Sequence, residues 1–357
     1  MPDIENKSVE LTYSEAINDA LSIAMTLDPL MICYGLGITD PKAIFGTTKN
    51  LADRFGDHRV FDTPTSENAM TGVSIGAAIG GIRSVVTHQR LDFFLLAMDQ
   101  LVNSAAKWHY TYGVSVPITI RLIIGRGWGQ GPTHSQNLHS WFAHIPGLKV
   151  VMPSTPQDAK GLLLSSIFDP NPVIFLEHRW LHNSKGDVLV EDYRTPIGLA
   201  DIINQGDDIT IVGMSYLTIE ARRAVEYLKI FNISCELIDL RSLKPIDWKT
   251  IQNSVKKTRR LLVLDSGYAT GSLAGEIVAK ISMDSFDHLL GAPARLAMPD
   301  IPEPASFGLT KGFYVGAEQI VNRVCKMLGR FELDIISGAP KEHIPHDVPG
   351  EWFKGPF

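Results

Sequence analysis

Cysteine is nearly absent from this sequence of 357 residues: Cys33, Cys235 and Cys325 stand far apart and form no Cys-x-x-Cys pair. That excludes a disulfide framework and a thiolate zinc site, and fits a reducing compartment. Charge is nearly balanced as well, with 33 Lys and Arg against 39 Asp and Glu. A net charge of -6 leaves no electrostatic footprint for nucleic acid or an anionic membrane. No apolar run approaches the roughly 20 residues of a membrane span. The opening "MPDIENKSVE" is polar and mildly acidic, reading as neither secretory signal nor transit peptide. A cytoplasmic location is therefore expected. Two nucleotide signatures are missing as well, since neither GxGxxG nor GxxxxGK[ST] occurs.

What is present is rhythm. "LMICYGLG", "SVVTH", "VPITIRLIIG", "LKVVMPS" and "NPVIFLEH" read as strands, and "FFLLAMDQLVNSAAKWHY" and "PQDAKGLLLSSI" as helices between them. The alternation predicts an α/β fold with a mostly parallel sheet covered by helices on both faces. A polar, loop-like patch at 181–196 ends this half, which places a boundary near Pro196. Alternation resumes with "DITIVGM", a helix near 219–230, "SCELIDL" and "RRLLVLD", then helices near Leu273 and Ile320. The expected units are 1–196, 197–328 and a final arm, 329–357. The arm is rich in Pro and Gly yet carries Trp352, Phe353 and Phe357, so it should pack on its own domain or on a neighbouring subunit rather than stay disordered.

Two stretches hold candidate chemistry. In "FDTPTSENAMTGVSIGAAIGG" one carboxylate, Glu67, heads a helical run of small residues. Gly72, Gly76 and Gly80 share one helix face, which calls for close packing inside a domain or at a seam between subunits. Glu67 at such a start has a plain alternative as a helix cap. In "LIIGRGWGQGPTHSQ" a glycine-rich loop follows a strong strand, where open α/β sheets place their sites. It ends in His134, a candidate proton carrier. His134, His139 and His144, spaced by five, do not share one helical face, which argues against a metal cluster.

"RVFDTPTSE", "AMDQLVNSAAKWHY", "THSQ", "FAHIPGLKVVMPSTPQDAKGLLLSSIFDPNPVIFLEH" and "IDLRSLKPID" together resemble, in the same order, the β-subunits of thiamine-diphosphate-dependent 2-oxoacid dehydrogenases, pyruvate and branched-chain types included. The resemblance spans roughly residues 8–328. It implies a pyrimidine-binding, transketolase-like parallel-sheet domain and a smaller α/β transketolase C-terminal domain. It also implies an assembly of two α and two β chains, with each cofactor lying between an α and a β. On this basis Glu67 hydrogen-bonds N1′ of the cofactor's aminopyrimidine, a role for a buried carboxyl whose pKa is raised. Phe93 lays its ring against the aminopyrimidine. Thr65 lines the pyrimidine pocket, Gln89 stands beside the cofactor, and His134 assists substrate binding and acyl transfer. Ile118, Ser166, Asp169 and Asn171 match a monovalent-cation (K+) site built from oxygens, whose plain alternative is a helix C-terminus. The Mg2+–diphosphate motif GDG…N is absent, so those ligands are expected from a partner α chain, and the isolated chain is expected to be inactive.

Departures from the family pattern keep a second reading open. His88 and Arg90 stand where many β-subunits carry an acid and apolar residues, and could meet an anionic or hydroxyl-rich substrate. "GPTH" resembles sugar-acting relatives, and "LDSGYATG" has Ser266 where an acid is usual. The arm lies where some β-subunits dock a lipoyl acyltransferase and is expected to obstruct it. The alternatives to the dehydrogenase are a two-chain transferase moving a two-carbon or acyl unit to an aldehyde or sugar, and a non-catalytic scaffold subunit.

Overall fold

The computed structural model describes residues 7–127, 129–341 and 345–353. Each apolar burst expected as a strand forms one. The strands are β1 (Ser8–Thr12), β2 (Ile32–Gly35), β3 (Val60–Asp62), β4 (Ser84–His88), β5 (Ile118–Ile124), β6 (Lys149–Val151), β7 (Val173–His178) and β8 (Lys185–Leu189), then β9 (Asp201–Asn204), β10 (Ile209–Gly213), β11 (Cys235–Asp239), β12 (Ser242–Lys244), β13 (Leu261–Tyr268) and β14 (Ala294–Met298). A seven-stranded sheet runs β12-β6-β7-β5-β4-β2-β3 and a five-stranded sheet runs β14-β13-β10-β11-β9. In the larger sheet all pairings are parallel except β12 with β6.

β5 explains why sequence pattern sufficed here. A central parallel strand is covered on both faces, so it reads as an unbroken apolar run. Strand parity sends Ile118, Ile120, Leu122 and Ile124 to one hydrophobic cluster and Ile123 to the other, and Arg121 shares the parity of Ile123. Helix boundaries follow local chemistry too. Thr12 and Glu15 form a capping box that starts the Tyr13–Leu27 helix, and Thr155 accepts from the Asp158 N–H, with Pro156 in the first turn, to start Pro156–Ile167.

Three expectations are corrected. The patch at 181–196 is not simply loop: β8 pairs antiparallel with β1, which stitches Ser8–Thr12 to the close of the first domain. The two halves also share a sheet, since β12, from beyond Pro196, forms the edge of the seven-stranded sheet. Both hydrophobic clusters also draw on the two domains together. The long helix expected over 93–110 is instead an α turn, a 3-10 turn, a π segment at Gln100–Ala105 and a short α-helix ending at Tyr112. The Glu67–Ile79 helix is buried on one face only: Met70, Thr71, Ser74, Ile75 and Ala78 face inward, while Val73 is 61% exposed and nothing within 4 Å faces Gly76.

The arm packs across both domains of its own chain. Ile335 and Ala339 enter the core, Trp352 Nε1 donates to the Trp180 carbonyl at 2.8 Å, and Asp347 is buried. Phe357 lies outside the described residues.

Candidate active site

Parallel strands point their carboxyl ends to one edge of a sheet, and the loops leaving them gather there. The loops after β2, β3, β4 and β5 carry, respectively, residues 36–50, Thr63–Ser66, Gln89–Arg90 and Gly125–His134. A cleft of about 330 Å³ at this edge is lined by Asp40, Lys42, Ile44, Phe45, Gln89, Arg90, Phe93, Gln130 and His134. Thus Gln89, Arg90, Phe93 and His134, distant in sequence, come together. Phe93 and His134 meet edge to face with ring centroids 5.2 Å apart. His134 is exposed, and its Nδ1 lies 3.0 Å from Thr133 Oγ1, which leaves Nε2 for a ligand.

Glu67 opens its helix at the same edge. Ser66, the cap residue, makes no side-chain cap bond. Glu67 is 6% exposed, and its carbonyl accepts from Thr71 Oγ1 at 2.9 Å, but its carboxylate makes no hydrogen bond to any described residue. A capping role would show as a bond from a helix N–H to this carboxylate, and none is made among the described residues. Thr65, two residues earlier, is exposed. Just before it, Asp62 accepts from the N–H groups of Ile38 and Thr39 at 2.7 and 3.0 Å, and these bonds with the Thr39 hydroxyl hold its carboxyl below the usual value against partial burial. Asp62 thereby pins the loop that supplies Asp40 to Phe45.

The two side chains expected to meet substrate behave differently. His88 is fully buried and absent from the cleft; both its ring nitrogens lack partners, its ring packs edge-on to Phe94, and burial pushes its pKa down to about 4. Arg90 lines the cleft, but its guanidinium is engaged: Nη1 donates to the Gly125 carbonyl at 2.5 Å and Nη2 to Gln130 Oε1. Gln130 Oε1 also accepts from the Gly127 N–H at 2.7 Å. Arg90 therefore shapes the glycine-rich loop. Gly125, at φ +70°, is required there, because a Cβ would stand 2.5 Å from the His178 ring. The loop residue Gln130 and the 40–45 wall were not anticipated from the sequence.

At the proposed cation turn, Ser166 Oγ donates to the Leu162 carbonyl, and the Asp169 carboxylate pairs with Lys149 and accepts from the Asn171 N–H. Arg83 Nη1 donates to the Ile167 and Asp169 carbonyls at 2.6 and 3.3 Å. Asn171 Oδ1 remains buried without a partner. Any cation would rely on Asn171 and main-chain oxygens rather than on the Ser166 or Asp169 side chains. Among the described residues no three His, Cys, Asp or Glu side chains are grouped to hold a metal, and no helix is long and apolar enough to cross a membrane.

Comparison with known proteins agrees with this geometry. The family described as "Transketolase, pyrimidine binding domain" matches residues 9–184, and "Transketolase, C-terminal domain" matches residues 198–320. The mitochondrial pyruvate dehydrogenase E1 component subunit beta-1 of Oryza sativa subsp. japonica is 38% identical over 318 residues, covering 87% of this chain and 85% of that protein. The pyruvate dehydrogenase E1 component subunit beta of Rickettsia bellii is 36% identical over 321 residues, covering 89% and 99%. Among solved structures, a split-gene transketolase described as an inactive beta4 tetramer shares the fold with a TM-score of 0.72 at 19% identity, over 90% of this chain and 99% of that one. The chain belongs to the family of β-subunits of thiamine-diphosphate-dependent 2-oxoacid dehydrogenases.

Proposed function

We propose that this chain contributes the aminopyrimidine half of an active site that oxidatively decarboxylates a 2-oxoacid, pyruvate being the substrate class of its relatives, and passes the acyl group to a lipoyl carrier. The observation that carries this reading is Glu67, 6% exposed and with a carboxylate that no described residue engages, at the same carboxyl edge of the sheet as the cleft lined by Gln89, Phe93 and His134. Thiamine diphosphate, when bound, supplies a nucleophilic carbon and an electron sink. Glu67 would hold a proton toward the remote nitrogen of the cofactor's aminopyrimidine. Phe93 offers a ring face that fixes the plane, and Gln89 and Thr65 border it. His134, exposed at the mouth, binds the incoming carbonyl and moves a proton during acyl transfer.

The diphosphate and Mg2+ belong to an α-type partner carrying GDG…N, in an assembly of two α and two β chains. The open surface at Gly76 and Val73 of the Glu67–Ile79 helix supports a seam with another subunit there, while Gly72 packs toward Gln100 within the domain. A monovalent cation, if required, sits on the oxygens around Asn171. The transferase alternative loses its side-chain support, because His88 is internal and Arg90 is tied to the loop.

Purified alone, the chain should neither bind thiamine diphosphate tightly nor turn over, and an α-type partner should restore both. In the assembled enzyme Glu67→Gln should lower turnover by about a hundred- to a thousandfold without dispersing the subunits. Near-normal turnover of that variant would instead support the scaffold reading.

A further inference from the structure

The C-terminal arm contacts Arg126, Arg179 and Trp180, residues that adjoin the cleft's loop and its Phe45 wall without lining it. Its first turns anchor on the second domain: Tyr227 Oη donates to the Ile335 carbonyl at 2.9 Å, and Arg223 Nη2 to the Lys341 carbonyl at 3.4 Å. Residues 345–353 leave the second domain for the first. His346 still packs on Phe307 of the second domain, with centroids 4.1 Å apart and its Nε2 2.9 Å from the Phe307 carbonyl. Asp347, 2% exposed, places Oδ2 at 3.5 Å from Arg126 Nη2.

Arg126 stands at the root of the glycine-rich loop. Its side chain is fully buried and also donates to the Tyr314 hydroxyl and the Pro304 carbonyl, at 3.2 and 3.3 Å. A buried guanidinium needs a counter-charge. Glu303 accepts from Tyr314 Oη at 2.9 Å, and burial pushes its carboxyl up to about 8. The carboxylate in direct contact with the Arg126 guanidinium is that of Asp347. On the opposite wall, the Arg179 guanidinium lies 4.0 Å from the centre of the Phe45 ring and 5.2 Å from that of Phe353, while Trp352 bonds the neighbouring Trp180 carbonyl. Phe45 lines the cleft.

We infer that the arm is an intramolecular brace, with Asp347 as a positioning residue that acts through Arg126 on the loop bearing His134. Trp352 and Phe353 steady the Phe45 wall through Trp180 and Arg179. The part of this that concerns catalysis rests on the proposed reading of the cleft. A loop this rich in glycine has many conformations, and a displacement of about 1 Å at a reacting group is enough to slow a reaction severely.

The test uses the full-length chain assembled with its α-type partner, in wild-type form and as Asp347→Asn, which preserves shape, and Trp352→Phe, which removes one N–H donor. Hydrogen exchange of peptides spanning residues 40–45 and 125–134, kcat, KM and cofactor affinity are measured together. Asp347→Asn should speed exchange of 125–134 and lower kcat, each about tenfold, with cofactor affinity within about twofold of wild type. Trp352→Phe should speed exchange of 40–45 and lower kcat, each by less than Asp347→Asn changes its own readouts, at an unchanged Tm. Wild-type loop exchange and kcat in both variants overturn the brace, as does a loss of kcat that merely tracks a loss of folded protein. If Asp347→Asn does not assemble, Trp352→Phe decides alone. An assembled wild-type enzyme inert toward every 2-oxoacid would overturn the reading of the cleft, while loop exchange would still decide the brace.

Discussion

Two glutamates of the first domain are buried, and their surroundings are opposite. Glu177, at the end of β7, receives Arg121 Nε at 2.6 Å and Arg121 Nη2 at 3.0 Å, with His182 Nε2 at 3.2 Å from its second oxygen. Burial pushes its carboxyl up, yet Arg121 and His182 prevail and hold it below the usual value; His182, buried beside Arg179 and Arg121, is depressed to about 4. The result is an ionised acid and a neutral imidazole locked into the centre of the sheet. Glu67 at the edge has burial without that company. The contrast separates a carboxylate the fold has consumed from one it keeps for something else. Burial alone does not mark a functional acid; burial without a protein partner does.

The comparison breaks most readily at Glu177. Replacing it by alanine leaves the Arg121 charge buried and unpaired, which should cost about 3–5 kcal/mol in chemical denaturation. Glu67→Gln should change the same stability by less than about 1 kcal/mol while removing most turnover, because its carboxylate bonds to no described residue. Equal losses of stability at the two positions would show that Glu67 is another structural acid.

A middle-sized effect sharpens the boundary between edge and centre. Gly125→Ala forces a side chain into a left-handed residue and toward His178, so about 1–3 kcal/mol of stability should go, seen as a lowered Tm. Because Gly125 also carries the carbonyl that Arg90 grips, turnover should fall alongside. A lowered Tm with intact turnover would detach the loop from the chemistry.

These cases show what was legible in the sequence. Five strands of the seven-stranded sheet, β2, β4, β5, β6 and β7, could be read because strands covered on both faces have no polar phase, as in "ITIRLII". Glu67 and His134 could be read because ordered motifs flank them. The pairing of β8 with β1 could not: "KGDVL" is polar and half exposed, and its partner lies more than 170 residues away. The cleft wall at 43–45 was equally silent. Ala43, Ile44 and Phe45 are all left-handed, at φ 45°, 46° and 61°, a conformation that glycine normally signals and these residue types do not. The fate of Arg90 depended on a carbonyl and an amide 35 and 40 residues distant. Side-chain type placed it near the cleft, and only tertiary structure showed that its charge was already in use.

His88 tests the rule at its weakest point, since it too is buried with no partner for either ring nitrogen. It differs from Glu67 in being sealed at 0% exposure and pressed edge-on to Phe94, so a ligand has no path to it. An imidazole can stay there by remaining neutral, which is the sense of its shift from 6.5 to about 4 under burial. The sign of the linkage follows: between those values the unfolded chain takes up a proton that the native state refuses, so this group's contribution to stability is lost as the pH falls from 6.5 toward 4. His88→Phe removes that loss and exchanges an unsatisfied ring for an apolar one of similar shape, which is close to neutral in cost. Its melting temperature, near that of wild type at pH 7, should gain on wild type steadily down to pH 4.5, and turnover at pH 7 should stay within about twofold. A hundredfold loss of turnover in this variant would place His88 beside Glu67, and the absence of a partner would then mark a ligand-facing group even where the side chain is sealed from solvent.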